Sequence, residues 1–258
     1  MTKPLPIEIR LTTSNFTEQL ERLQAVCYPT LTSDELLNRE KYAHHLQLFP
    51  DGQFMAVLKH PQGEYVVGSC ASIRYNFDFN NFQHKFTDIT DNGWLNTHNP
   101  NGEWLYGLDM CVHPDFRRRH IASRLYVVRS NIVKRLNLRG EAVGGMIPGY
   151  EAYRKTHTQE AYVADVAKGK LIDPTLTPQL KQGFRVVGVL YNYLTDPRSD
   201  DCGAFMVREN PNYIETSLDD LPSNFIPTPT YLPQMEKPAG GFIPKLEPPT
   251  PPVIRRGI

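Results

Sequence analysis

The sequence has no excess of charge of either sign. Its 258 residues include 28 lysine and arginine residues against 28 aspartate and glutamate residues. Proteins whose main task is to bind nucleic acid or another polyanion usually carry a clear basic excess. The balance therefore argues against a general nucleic-acid binder, although it leaves room for a local basic site.

Cysteine is scarce, and its four positions, Cys27, Cys70, Cys111 and Cys202, lie far apart in the sequence. This spacing resembles neither a disulfide framework nor a zinc motif, in which cysteines or histidines recur a few residues apart. The histidines show no metal-ligand spacing either. We therefore expect reduced thiols, a cytoplasmic protein and no structural metal.

Long apolar runs are also missing. A membrane-spanning helix needs about 20 consecutive apolar residues, and no run in this sequence approaches that length. The first residues, MTKPLPIEIR, lack the apolar segment of a secretion signal. The sequence therefore predicts neither a membrane span nor secretion.

Strand-like and helix-like hydrophobic patterns follow one another through residue 210. Their predicted order is a strand, two helices, three strands, a helix, a strand, a helix and two strands. The first helix is predicted to have Ser14 as its N-cap and Phe16, Leu20, Leu23 and Val26 on its apolar face, and the second is predicted to begin at Ser33. This order predicts an α/β (α+β) fold, with a mixed central sheet of six to seven strands and helices on both faces.

The composition changes at residue 211. Of the 22 prolines, 11 fall in the last 48 residues. Proline lacks the backbone N–H and interrupts helices, so this segment is not expected to fold by itself. We predict one folded domain over residues 1–210 and a proline-rich extended or disordered tail over residues 211–258, which is a candidate site for a protein partner.

The sequence concentrates positive charge in the stretch VHPDFRRRHIASRLY, residues 112–126. From Arg117 to Arg139 there are eight basic residues and no acidic one. The first turn of a helix exposes unpaired N–H groups and the positive end of the helix dipole, and arginine adds charge-assisted hydrogen bonds. In a neutral protein this arrangement predicts a local site for phosphate oxygens.

The same stretch resembles motif A of the GNAT superfamily of N-acetyltransferases, in which a strand ending in V-x-P is followed by R/Q-x-x-G-x-G/A and an amphipathic helix. Arg117 takes the first motif position and Ala122 the last, whereas His120 stands where the first glycine usually is. The segments YGLDMCVHPDFRRRHIASRLY, NLRGEAVGGMIPGY and DPTLTPQLKQGFRVVGVLYNYLTDP are similar to the GNAT domain that some bacteria fuse to a carbon–nitrogen (nitrilase-like) hydrolase. This resemblance covers roughly residues 5–212.

The resemblance implies a GNAT fold and acetyl-CoA as co-substrate. The pyrophosphate of acetyl-CoA is expected on the backbone amides of Arg118, Arg119, His120, Ile121 and Ala122, with Arg117 beside them. The pantetheine arm is expected to pair, like an added strand, with the end of the central strand at Met110, Cys111 and Val112.

Acyl transfer to an amine needs a group that takes a proton from the amine and a donor for the departing thiolate. Asp109 matches a position where several superfamily members carry an acid, so the resemblance implies a base there; Glu141 is a weaker candidate. Many members place a tyrosine acid shortly before the glycine of the later G-F pair, where this sequence has Gln179. Tyr150 is then our candidate acid, with Tyr153 as the alternative.

Cys111 offers no covalent route in our interpretation. It lies in an apolar strand with no paired histidine, an environment in which a thiol is usually inert and no base activates it. The sequence therefore predicts direct attack of the amine on the thioester.

The sequence indicates less about the residues that bind the acceptor amine. Residues 77–103 form a long segment rich in phenylalanine, asparagine and aspartate; its aromatic residues either line a substrate pocket or pack on the sheet, and Asp78, Asp88 and Asp91 are candidates to receive a cationic amine. The leading interpretation is an acetyl-CoA-dependent N-acetyltransferase. The alternative is a catalytically weak GNAT-fold module that binds acyl-CoA or docks a partner. The acceptor amine, the acyl preference and a homodimer stay open.

Overall fold

The computed structural model of the protein describes residues 6–215. Seven strands form one sheet: β1 (Ile7–Leu11), β2 (Phe54–His60), β3 (Gly63–Tyr75), β4 (Trp104–Val112), β5 (Gly140–Met146), β6 (Arg185–Leu190) and β7 (Gly203–Glu209). Their spatial order is β1-β2-β3-β4-β5-β7-β6. Neighbours pair antiparallel except β4 and β5, which pair parallel. The predicted mixed sheet is confirmed.

The described residues form six α-helices: α1 (Thr17–Cys27), α2 (Arg39–Leu48), α3 (Phe86–Thr90), α4 (Ile121–Arg135), α5 (Gln159–Ala167) and α6 (Leu176–Lys181). Successive side chains of a strand face opposite sides of the sheet. In β2, Met55 and Val57 pack in the cluster that contains α1 and α2, whereas Ala56 packs against α4. Helices α4, α5 and α6 share the second face, so both faces are covered, as predicted.

The prediction for the beginning of α1 was wrong. A single 3-10 turn occupies Ser14–Phe16, and the α-helix begins only at Thr17, with no side-chain cap from Ser14. Val26, expected on the apolar face, is 48 % exposed. Phe16, Leu20 and Leu23, the other residues predicted for that face, are buried, and Gln24 is buried with them.

The prediction for the beginning of α2 was also wrong. The helix begins at Arg39, and the Asn38 side chain caps it by accepting the Lys41 N–H. The buried Lys41 ammonium group donates to the carbonyl oxygens of Ser33, Asp34 and Leu36. Residues 33–36, which we expected to form the first helical turn, therefore form a loop that hydrogen bonds from Lys41 stabilise.

Three phenylalanines of the segment 77–103 pack on the sheet, whereas Phe86 lines the cavity described below. Phe77 and Phe82 lie against Phe205 of β7, and Phe79 lies against Trp104 of β4. The sequence left open whether such residues line a substrate pocket or pack on the sheet, and these three pack on the sheet. The tail predicted for residues 211–258 lies outside the described residues beyond position 215.

Candidate active site

The sheet opens in its middle, between β4 and β5. Their pairing joins residues 104–107 to residues 140–143 and goes no further. On the other edge of β4, the register against β3 steps from Gly107 to Asp109, so that Leu108 is an extra residue. Such a bulge bends its strand and increases the local twist. Beyond Gly107, β4 therefore turns away from β5.

A cavity of about 700 Å³ fills this opening. Its walls are the diverging strand ends, residues 107–112 and 143–146, together with residues of α1, the start of α4, and α6. The predicted site residues that line it are Asp109, Met110, Cys111, Val112, Arg117 and Ala122. The cavity thus joins the predicted base to both predicted halves of the co-substrate site.

The edge of β4 that faces the opening carries carbonyl groups that no strand uses. The Tyr28 hydroxyl donates to the Met110 carbonyl at 2.9 Å, and Arg117 Nε donates to the Val112 carbonyl at 3.3 Å. Because the N–H and C=O of a strand residue point to the same edge, Met110 and Val112 present their backbone to the opening. An extended ligand can bind such an edge as an added strand.

Helix α4 begins beside this opening with a row of unpaired amides. The Arg124 N–H donates to the His120 carbonyl, whereas the amides at positions 118–123 have no acceptor among residues 6–215. The helix dipole adds positive potential at this end. The arrangement is suited to a phosphate group.

His120 occupies a position that favours glycine. Its φ is 59° and that of Arg118 is 60°, both in the left-handed region, which costs an L-residue about 1–2 kcal/mol. The side chains of Arg118, Arg119 and His120 are exposed and do not line the cavity. Ile121 is buried in the core beneath α4. None of these four side chains therefore belongs to the cavity wall.

Asp109 is a buried carboxyl group in the cavity wall. Ser69 Oγ donates to its Oδ2 at 3.3 Å. Burial raises the pKa of Asp109 to about 6, although hydrogen bonds and the charge of Arg129 act in the opposite direction. A carboxyl group with this pKa can accept and return a proton near neutral pH.

The Cys111 thiol also lies in the cavity wall. A hydrogen bond with Cys27, burial and the nearby Asp109 raise its pKa well above the usual range. A neutral thiol is a poor nucleophile. His113 packs its ring against Phe116 and accepts the Asp115 N–H, so it is engaged elsewhere.

Glu141, the weaker base candidate, does not line the cavity. It forms a buried ion pair with Arg129 and accepts from Arg208 Nη2 at 2.7 Å. The Arg129 guanidinium group lies over Gly107, where a Cβ atom would stand 1.3 Å from Arg129 Nη2. These contacts give Glu141 a structural role at the point where the two strands separate.

The structure does not bring Tyr150 to Asp109, which corrects our expectation for the acid. The Tyr150 hydroxyl donates to the His157 carbonyl at 3.1 Å, and its ring packs against Tyr162. Tyr153 packs against Tyr162 as well, and neither Tyr150 nor Tyr153 lines the cavity. The surrounding loop folds these rings into the core beside α5.

Tyr193 lines the cavity instead, and the sequence patterns did not reveal it. Its ring lies over Gly144 of β5, where a Cβ atom would stand 2.3 Å from the Tyr193 hydroxyl oxygen. The glycines in GEAVGGM were the available signal, because a glycine in a strand often marks a close approach by another group. Gln179 also lines the cavity, and no described donor reaches its buried Oε1 atom.

The acidic residues that line the cavity differ from those that we expected to receive the amine. Asp78, Asp88 and Asp91 do not line it; besides Asp109, the acidic residues that do are Glu35 and Glu151. Glu35 accepts the backbone N–H groups of Thr32 and Thr195. Glu151 is therefore the acidic side chain with more freedom to meet a cationic acceptor.

Within residues 6–215, no three or more His, Cys, Asp or Glu side chains are placed to hold a metal ion. In the same range, none of the helices combines the length and the apolar character needed to cross a membrane.

No protein-family model matches the sequence. A Bacillus subtilis (strain 168) protein named uncharacterized N-acetyltransferase YkwB is 32 % identical over 212 residues, which is 80 % of this chain and 92 % of the relative. Probable hydrolase YhcX from the same strain is 41 % identical over 174 residues, 67 % of this chain. That match spans 33 % of the length of YhcX. The predicted similarity to GNAT domains that are fused to nitrilase-like hydrolases stays a prediction.

Two solved structures share the fold. The loading GNATL domain of CurA from Lyngbya majuscula has a TM-score of 0.67 at 16 % identity, over 79 % of this chain and 98 % of that domain. The GphF GNAT-like decarboxylase, solved in complex with isobutyryl-CoA, has a TM-score of 0.63 at 21 % identity, over 79 % of this chain and 99 % of the other. With YkwB similar over most of both chains, this chain belongs to the GNAT family of N-acetyltransferases and is an acyltransferase.

Proposed function

We propose that the protein transfers an acetyl group from acetyl-CoA to an amine by direct attack of the amine on the thioester. The observation that carries this proposal is the opening of β4 from β5, followed on the same connection by the unpaired amides at positions 118–123. One feature offers an edge to the pantetheine amides, and the other offers donors to the pyrophosphate.

The contacts of the described residues support the following placement of acetyl-CoA. The amides at positions 118–123 hold the pyrophosphate oxygens, and the exposed side chains of Arg118 and Arg119 add positive charge at the rim. Met110 and Val112 pair with the pantetheine amides. The Tyr28 hydroxyl now donates to the Met110 carbonyl and Arg117 Nε to the Val112 carbonyl, so both donors must give way before pantetheine can pair with these carbonyls.

Asp109 is the proposed base. Its carboxylate takes one proton from the incoming ammonium group, and the neutral nitrogen then attacks the thioester carbon. As the C–N bond forms, the backbone N–H of Met110 faces the developing oxyanion. The C–S bond breaks, and the thiolate takes its proton from the Asp109 carboxyl group, which restores the carboxylate. The second proton of the nitrogen must leave by another path.

The experiment begins with calorimetric titration of acetyl-CoA. Spermidine, glycinamide, L-lysine and a short peptide with a free amino terminus are then screened for release of free CoA thiol. Release with at least one amine supports transfer. Binding without release from any amine favours the alternative, a weakly catalytic acyl-CoA-binding module, to which the replacement of the usual tyrosine by Gln179 points.

Direct attack has its own test. A Cys27→Ser and Cys111→Ser double variant removes both thiols that line the cavity. We expect it to retain transfer, with no acetylated enzyme detected by intact mass in the absence of an amine. An acetyl-enzyme that accumulates, or activity that disappears in the double variant, would show a covalent route.

A further inference from the structure

Three side chains lead from the cavity wall toward the protein surface. Tyr193 lines the cavity, and its hydroxyl oxygen lies 2.8 Å from that of Tyr106. The Tyr106 hydroxyl lies 3.1 Å from His84 Nε2. Tyr193 and Tyr106 are buried, whereas His84 is partly exposed. The chain therefore begins at the cavity and ends where water reaches.

The outer partner fixes the direction of these hydrogen bonds. His84 Nδ1 lies 2.8 Å from the carbonyl oxygen of Phe82, which can only accept, so Nδ1 carries the proton of the neutral ring. Burial lowers the pKa of His84, against a smaller opposite effect of Asp88. Neutral Nε2 then accepts from Tyr106, and the Tyr106 oxygen accepts from Tyr193.

This direction leaves the cavity end able to take a proton. Because Tyr193 donates its own hydrogen to Tyr106, its oxygen keeps lone pairs for a donor in the cavity. The position of that oxygen over Gly144, beyond the last paired residues of β4 and β5, places it beside the opening. The rings of Phe77 and Phe205 pack around His84 and keep the outer part of the chain fixed.

We propose that Tyr193, Tyr106 and His84 form a proton relay that exports one proton from the cavity during acyl transfer, an inference that rests on the proposed function. The nitrogen of the tetrahedral intermediate holds a proton that the amide product does not keep. It passes to Tyr193 as the Tyr193 proton passes to Tyr106 and the Tyr106 proton passes to His84 Nε2. The imidazolium ion then releases a proton to water.

The proton balance closes with this relay. An ammonium acceptor and acetyl-CoA give an amide, CoA thiol and one free proton. Asp109 carries the first nitrogen proton to the departing sulfur, and the relay carries the second to solvent. Both tyrosines stay neutral after the transfer, so no phenolate forms, which matters because burial raises the pKa of each.

Tyr106→Phe is the decisive variant, because it removes the middle hydroxyl while Tyr106 itself does not line the cavity. Tyr162→Phe is the matched control: Tyr162 is another buried tyrosine, and its hydroxyl donates to Asp173 at 2.9 Å outside the cavity. His84→Gln is the second variant, since glutamine keeps a hydrogen-bonding side chain but cannot accept the proton. Circular dichroism melting confirms that each variant is folded.

The assay measures CoA thiol release with acetyl-CoA and whichever panel amine the wild type accepts, in water, in deuterium oxide and in a series of mixtures of the two. We expect Tyr106→Phe and His84→Gln each to lower kcat by at least about tenfold, with the KM for acetyl-CoA unchanged. A plot of the wild-type rate against the deuterium fraction of the solvent, the proton inventory, should be curved because several protons move together. The same plot for Tyr106→Phe should be linear. Tyr162→Phe should match the wild type in both respects.

Two results would overturn the relay. If the wild type transfers and Tyr106→Phe and His84→Gln both match Tyr162→Phe, the relay alone is wrong and the proposed function stands. If the wild type binds acetyl-CoA but transfers to no amine of the panel, the proposed function falls, and the relay falls with it. Should Tyr106→Phe not fold, the His84→Gln rate and its proton inventory decide.

Discussion

We expect Asp109→Asn to make the folded protein more stable while removing its activity. Asp109 is 6 % exposed, and burial raises its pKa from 3.8 to about 6. One pKa unit corresponds to about 1.4 kcal/mol, so the ionised carboxylate costs the folded state about 3 kcal/mol. Asparagine has nearly the same shape and can still accept from Ser69 Oγ, but it carries no charge.

The size of this effect depends on pH. The pKa of Asp109 is higher in the folded protein than in the unfolded chain, so the folded state binds more protons between about pH 3.8 and 6. The cost is absent below this window, grows through it and is complete above it. The gain from Asp109→Asn should therefore be about 1.5 kcal/mol at pH 5 and about 3 kcal/mol at pH 8.

Urea unfolding at the two pH values measures this difference, and thiol release measures the activity, which should fall at least about 100-fold. Asp173→Asn is the control, because Asp173 is fully buried but accepts from the Tyr162 hydroxyl and from the N–H groups of Gly149, Thr175 and Leu176. Losing that carboxylate should destabilise the protein. If Asp109→Asn gains nothing at pH 8, or gains as much at pH 5, the pKa of Asp109 is not raised.

Three further predictions follow from the backbone of the site. His120→Gly relieves a positive φ and should stabilise the protein by about 1 kcal/mol in thermal melts, without changing the calorimetric affinity for acetyl-CoA; a weaker affinity would give the imidazole a role. Arg117→Ala and Ala122→Asp should both weaken that affinity, the latter more because it places a carboxylate among the phosphates, and unchanged binding in both would rule out this placement. Gly107→Ala should destabilise the protein in urea by about 1–3 kcal/mol, because its Cβ would stand 1.3 Å from Arg129 Nη2; wild-type stability would show that Arg129 moves aside freely.

The backbone geometry of the proposed co-substrate site could be predicted from the sequence because this site consists of consecutive residues. A strand that ends at a proline and leads into an apolar-periodic helix fixes the positions of Met110, Val112 and the following amides by local geometry alone. The beginning of α2 could not be fixed in this way. Ser33 and Asn38 are both plausible caps, and a tertiary contact, the hold of Lys41 on the Ser33 loop, decides between them.

The residues of the proposed proton relay were harder to predict, because they come from distant segments of the sequence. Tyr106 and Tyr193 are separated by 87 positions, and His84 lies in the segment that the sequence marked only as irregular. No local pattern distinguishes a tyrosine that meets the cavity from one that packs in the core, as Tyr150 does. Only the register of β4, β5 and the chain before β7 brings these hydroxyl groups together.

The separation of β4 from β5 also bears on how the protein avoids unwanted association. A break inside a sheet creates unpaired strand edges, and such edges invite pairing with a foreign chain. Here Tyr28 and Arg117 occupy the Met110 and Val112 carbonyls, which are the groups that an intruding backbone would seek. The two side chains thus shield the break from a misdirected peptide, and a co-substrate that brings phosphate can draw Arg117 away.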